Sequence, residues 1–237
     1  MTIGKFIKPA IISLAILSSC AVNAISLLPA STGTDYNYVG VRAGGVFPGN
    51  TRGNSDLQSV SADTTYTAGI AVGRKIMDRF SVEIEYMNRG ESDLNSSSLS
   101  NSDNVKNSWG VSSNTLMLNL AVDVITGTPI TPYLKFGMGA SRNEASQYIY
   151  SDSTGSTAWG SKASTKFAWQ TGFGVNMSVT KTTDANIEYA YIDRGEFRTK
   201  NGSTFSGSGL VINNSEDSPK LGKLREQVLT AGFKLRF

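Results

Sequence analysis

LTAGFKLRF, residues Leu229–Phe237, closes the sequence on a strict alternation of apolar and polar residues that runs up to the final aromatic. Chain ends are usually polar and fray into solvent. An end that puts Leu229, Ala231, Phe233, Leu235 and Phe237 on one face of an extended segment needs something apolar for that face to meet.

The same two-residue period recurs upstream. In FSVEIEYMNR, Phe80, Val82, Ile84 and Tyr86 point one way and Ser81, Glu83, Glu85 and Met87 the other. In TLMLNLAVDV, Leu116, Leu118, Leu120, Val122 and Val124 oppose Thr115, Met117, Asn119, Ala121 and Asp123. Weaker versions cover Tyr38 to Phe47, Thr65 to Lys75, Pro132 to Ser141, Phe167 to Ser178, Ala185 to Asp193 and Glu226 to Phe237, which brings the strands to eight. Their apolar faces carry Val39, Val41, Ile70, Val72, Leu134, Phe136, Phe173, Ile187 and Tyr189. The opposite faces carry Arg42, Lys75, Glu83, Glu85, Asp123, Lys135, Glu188, Lys234 and Arg236, a set that is hard to bury in a soluble core.

A soluble sandwich also alternates, so the connections decide. Short links, IMDRF, ITGTPI and VTKTTD, join strands two to three, four to five and six to seven. The others, Pro48 to Asp63, Gly90 to Ser108, Asn143 to Thr165 and Gly195 to Lys223, are about 16 to 29 residues long, unusual inside a compact domain. Alternating short and long links, an even strand count and about ten alternating residues per strand are the pattern of a transmembrane β-barrel of the bacterial outer membrane. The expected fold is therefore all-β: an eight-stranded antiparallel up-and-down barrel with short periplasmic turns and four long extracellular loops.

The first 24 residues read as an export signal. Lys5 and Lys8 precede the apolar PAIISLAILSS, and Val22, Asn23 and Ala24 form a small-x-small cleavage site. The apolar run is shorter than the roughly 20 residues a bilayer-spanning helix needs. The expected organisation is signal peptide 1–24, lead-in 25–37 and barrel 38–237. The only cysteine, Cys20 in LSSC, lies within this leader and resembles the lipobox of bacterial lipoproteins, in competition with cleavage after Ala24. Losing Lys5 and Lys8 lowers the formal charge from +3 to +1, which gives no case for nucleic acid as a partner.

LTAGFKLRF resembles the C-terminal signal strand of outer-membrane barrels, with Thr230, Gly232, Leu235 and Phe237 at the polar, glycine, apolar and aromatic positions. The resemblance implies recognition of this strand by the barrel-assembly machinery. Through YVGVRAGGVF, VEIEYMNRG, PYLKFGMGAS, FAWQTGFGV and NIEYAYID, the sequence resembles the small OmpA-like, OmpX-like and opacity-type surface barrels. Outer-membrane lipid is then the surrounding medium, and the outer membrane the location.

Eight strands leave an interior just wide enough for side chains to fill. Charges there must be paired, so a lumenal ion network is expected with Arg42, Glu83, Glu85, Lys135 and Glu188 at its centre. Inward glycines such as Gly73, Gly137 and Gly174 are expected to make room for long side chains opposite. Aromatics near strand ends, Phe47, Tyr86, Trp169 and Tyr191 at one border and Phe80 and Phe237 at the other, fit interface girdles.

The sequence contains no histidine, the usual general base, and no cysteine beyond Cys20. No catalytic residue, cofactor or metal site is expected, and the protein reads as a non-enzyme. Function is expected in the loops. ESDLNSSSLSNSDNVKNS is polar and low in complexity, a composition that does not fold alone. EFRTKNGSTFSGSGLVINN, with Phe197 and Phe205, is apolar enough to extend a β-ribbon beyond the membrane, and SQYIYSDSTGSTAWG offers Tyr148, Tyr150 and Trp159 as contact anchors. Two readings follow: an adhesin-like or host-factor-binding surface antigen acting through these loops, or a structural or narrow porin-like barrel that stabilises the membrane or passes small solutes.

Overall fold

In the computed structural model the residues described are 35–49, 61–100, 103–145, 148–152, 155–159, 162–198, 202–206, 209–211 and 220–237. The expected signal peptide, with Cys20, lies outside them, as do most of the lead-in and most of the first long link. Thirteen strands and no helix occur among the described residues. Eight of the strands build the barrel: β1 (Tyr36–Pro48), β3 (Thr65–Ile76), β4 (Phe80–Ser100), β5 (Asp103–Asp123), β6 (Ile130–Ala145), β9 (Lys162–Ser178), β10 (Thr183–Arg198) and β13 (Lys220–Arg236). The others are β2 (Ser61–Ala62), β7 (Tyr148–Asp152), β8 (Gly155–Trp159), β11 (Gly202–Ser206) and β12 (Gly209–Val211).

The wall is antiparallel throughout and closes on itself. Its order runs β4-β3-β1-β13-β10-β9-β6-β5, with β5 pairing back onto β4. Closure between the first and last wall strands explains the apolar alternation of LTAGFKLRF: β13 pairs β1 from Tyr38↔Arg236 to Pro48↔Glu226 and β10 on its other side. Asn37 and Phe237 exchange backbone hydrogen bonds at 3.1 and 2.9 Å. A closed barrel leaves no open edge, the condition for satisfying backbone groups in hydrocarbon.

The wall side chains follow the two-residue period. Val41, Ile84, Leu118, Phe136, Phe173, Ile187, Phe233 and Phe237 are exposed outward, while Arg42, Glu83, Glu85, Asn119, Lys135, Gln170 and Glu188 are buried inward. The expected girdle residues Phe47 and Trp169 at one end and Phe80 and Phe237 at the other are likewise exposed, and Trp169 packs on Tyr191 at 5.6 Å between rings.

One end of the barrel is trimmed tightly. The three-residue β3–β4 turn between the paired Ile76 and Phe80 puts two non-glycine residues, Met77 (φ 53°) and Asp78 (φ 60°), in the left-handed region. Asp35 accepts a hydrogen bond from the Met77 amide at 3.0 Å and steadies that turn.

At the other end the structure departs from the expectation for the second long link. Gly90 to Ser108 reads as solvated loop, yet β4 and β5 stay paired to Ser100↔Asp103 after a bulge between Arg89 and Ser92. The composition argument judges each segment by itself, whereas the two halves of this link satisfy each other's backbone groups as one hairpin. The wall also starts slightly early, with Tyr36 and Asn37 already in β1.

A second sheet is not hydrogen-bonded into the wall, although its strand β7 lies beside β5. β7 and β8, from the third long link, form a hairpin, and β11 and β12, from the fourth, form another. β11 pairs β8 from Gly202↔Trp159 to Ser206↔Gly155, joining both into one four-stranded sheet of order β12-β11-β8-β7.

Candidate functional site

The lumen is filled in layers, because inward residues of neighbouring strands meet at fixed heights set by the register. Nearest the short turns, Lys75 reaches Asp123 at 2.5 Å and Arg236 pairs with Asp184.

The central layer is built on Arg42 of β1. Its Nη2 contacts Glu83 Oε1 at 2.9 Å, and its Nη1 contacts Glu85 Oε1 at 2.9 Å and Glu188 Oε2 at 3.2 Å. Lys135 Nζ lies 3.2 Å from Glu85 Oε2 and also pairs with Glu188. The structure thus brings all five residues of the expected network together across β1, β4, β6 and β10. Neutral groups complete it. Tyr38 donates to Glu83 at 3.1 Å, Tyr133 to Glu188 at 2.8 Å, and Asn119 and Gln170 to Glu85 at 2.8 and 3.1 Å. Lys234 lies 5.0 and 5.2 Å from the ring centres of Tyr38 and Tyr133. Two glycines make this possible. A Cβ on Gly73 would stand 2.5 Å from the Tyr38 ring, and one on Gly174 would stand 2.6 Å from that of Tyr133.

Above this layer Val46, Met87, Met117, Ala168, Ala190, Ile192 and Val228 form an apolar belt buried in the bore. A further charged layer lies beyond it, where Glu226 is held between Arg89 and Arg194. Sequence reasoning missed this layer: Arg89 and Glu226 stand at the ends of expected strands without being counted among the inward charges, and Arg194 lies one residue past the expected end at Asp193. The parity of Glu83, Glu85 and Met87 continues to Arg89, and that of Glu188, Ala190 and Ile192 continues to Arg194.

Among the described residues no group of three or more carboxylate, histidine or cysteine side chains is arranged to hold a metal ion. The glutamates of the central layer are taken up by Arg42 and Lys135.

The last strand places its four singled-out residues on two faces. Thr230 and Gly232 turn into the lumen, where a Cβ on Gly232 would stand 2.8 Å from that of Arg42. Leu235 and Phe237 face outward. Of the candidate contact residues, Tyr148 is in β7, Trp159 in β8 and Phe205 in β11, so the second sheet brings these segments together. Tyr150 is also in β7, and Phe197 is in β10 of the wall, just before the fourth link. All five side chains lie outside the described residues.

A closed wall with an apolar outside and a charged, filled inside is the architecture of a small membrane barrel, and residues 12–237 match the family model described as the outer membrane protein beta-barrel domain. The chain belongs to this family. It is a bacterial outer-membrane protein, with its short turns toward the periplasm and its long links outside. The fold of this outer-membrane barrel resembles that of a major outer membrane protein from Thermus thermophilus (13% identity, 85% of this chain and 99% of that chain, TM-score 0.53). It is also similar to Neisserial surface protein A (16% identity, 85% and 97% covered, TM-score 0.48) and to OprG from Pseudomonas aeruginosa (15% identity, 88% and 98% covered, TM-score 0.48). No curated protein sequence matches the chain.

Proposed function

We propose that this outer-membrane barrel is an adhesin-like or host-factor-binding surface antigen rather than an enzyme or a conducting pore, with the second sheet as its contact surface. The observation that carries the reading is the β8–β11 pairing, which ties two separate extracellular links into one sheet. Loops that merely cap a barrel have no need of such a tie. An ordered platform lowers the entropic cost of binding a partner. Among the described residues β12 has no neighbour on its outer side, and an edge strand can receive an extended segment of an extracellular protein. Tyr148, Tyr150, Trp159, Phe197 and Phe205 are the anchors proposed around that sheet.

The lumen supports the same reading. An ion network and an apolar belt occupy the bore that a solute would use. β13, with Thr230, Gly232, Leu235 and Phe237, is the strand proposed to engage the barrel-assembly machinery.

Deleting 148–159 or 202–211 separates the alternatives. Either deletion is expected to abolish attachment to host cells or capture of serum proteins while the barrel still shifts in gel mobility on heating. Undiminished binding by both variants, or steady single-channel conductance of the refolded wild type, would overturn the reading in favour of a structural or narrow porin-like barrel.

A further inference from the structure

The charged layers of the lumen differ in balance. At the short-turn end Lys75 and Arg236 are matched by Asp123 and Asp184. In the central layer Arg42, Lys135 and Lys234 face Glu83, Glu85 and Glu188. Among the described residues the layer beyond the apolar belt holds two arginines, Arg89 and Arg194, and one carboxylate, Glu226, with side chains 0% exposed.

Glu226 accepts a hydrogen bond on Oε2 from Arg194 Nε at 2.9 Å, and its Oε1 forms an ion pair, without a hydrogen bond, with Arg89 Nε. The remaining nitrogens of Arg89 are taken: Nη1 donates to the Val111 carbonyl at 2.7 Å and Nη2 to Ser92 Oγ at 2.8 Å. Arg194 Nη1 donates to Thr115 Oγ1. Arg194 Nη2 is buried and has no acceptor among the described residues. Ser113 Oγ, also buried without a hydrogen-bond partner, sits one inward step beyond Thr115 on β5 and opposite Arg89 in the register.

The other described carboxylates of this end are engaged elsewhere. Asp193 pairs with Arg225 at 3.2 Å, Glu144 pairs with Arg142 at 3.1 Å on the surface, and Glu91 is exposed and extends over Gly110. A guanidinium cannot shed its proton to escape an apolar site, and a buried charge without a counter-charge is strongly unfavourable. A water molecule would satisfy the free N–H groups but leave the charge.

We propose that a small monovalent anion of the halide class, entering from the extracellular mouth, binds at Arg194 Nη2 and neutralises the Arg89–Glu226–Arg194 layer. The apolar belt beneath it makes the site a dead end, so the anion is a structural ligand of the closed bore and not a permeating ion.

The test uses the full chain refolded in detergent, with the midpoint of heat-induced unfolding read by gel mobility in sodium bromide and in sodium gluconate at equal ionic strength. At bromide ten times above its Kd the midpoint is expected to rise by about 3–6 °C. Arg194→Met is expected to lose that gain, and Glu226→Gln, which leaves both arginines unmatched, to enlarge it. Equal midpoints in the two salts, or a gain that persists in Arg194→Met, overturns the proposal. Should Arg194→Met fail to fold, bromide-soaked crystals of the wild-type protein decide: an anomalous peak within hydrogen-bond distance of Arg194 Nη2 upholds the site, and a peak-free map there overturns it.

Discussion

The same eight strands present two very different surfaces, one to lipid and one to the lumen. On the lipid face the residues that recur, such as Val41, Leu118, Phe136 and Phe233, share only apolarity, because hydrocarbon asks nothing more of them. On the lumenal face the charged residues have specific partners. Arg42 alone touches glutamates from β4 and β10 at three places, and Tyr38 and Tyr133 fit into slots left by Gly73 and Gly174. The difference teaches that one wall is specified by pattern and the other by identity, although both come from one alternation.

Substitutions can break or sharpen that contrast, and all are read by urea unfolding of the barrel folded into lipid vesicles. The largest effect is expected for Arg42→Met, which leaves three buried glutamates with Lys135 and Lys234 alone; removing one side of a buried ion network costs about 3–5 kcal/mol. A smaller loss is expected from a charge on the pattern face. Leu118→Arg places a guanidinium against mid-wall hydrocarbon and should cost about 2–4 kcal/mol. If Leu118→Arg proves as costly as Arg42→Met, the two faces are equally selective and the contrast fails.

Next comes Gly73→Ala. Its added methyl overlaps the Tyr38 ring and should cost about 1–3 kcal/mol by overpacking, with loss of the Tyr38–Glu83 hydrogen bond visible in a crystal structure. The smallest effect is expected for Leu118→Ile, an apolar exchange on the lipid face, at about 0.5 kcal/mol or less. A cost above about 1.5 kcal/mol there would show that the lipid face also depends on particular side chains.

The fold was legible at the level of residues because alternation is local. Glu83 and Glu85 face inward for the same reason that Val82 and Ile84 face outward, and no tertiary information is needed to see it. The five charges of the central network were legible for a second reason: in a narrow bore, inward charges have only one another to meet. Asn119 and Gln170 were not legible as partners, since a neutral amide on an inward face carries no signal that it will be recruited to Glu85. Arg194 was passed over because the expected strand stops at Asp193, and Arg89 and Glu226 because they stand at the ends of expected strands, where sequence alone does not show that the wall continues past them; the β4–β5 hairpin that carries it on depends on pairing between two segments.

The sequence by itself determined the strand count, the alternation of short turns and long links, and which face of each strand meets lipid, because a two-residue period and an apolar count are properties of short segments. Only the tertiary structure decided the rest. Height in the barrel follows from the register between strands and from closure of β13 on β1, so it alone separates the balanced central layer from the unbalanced one above the apolar belt. The sheet made from two extracellular links is of the same kind. It rests on backbone pairing between β8 and β11, residues distant in sequence that the fold makes neighbours.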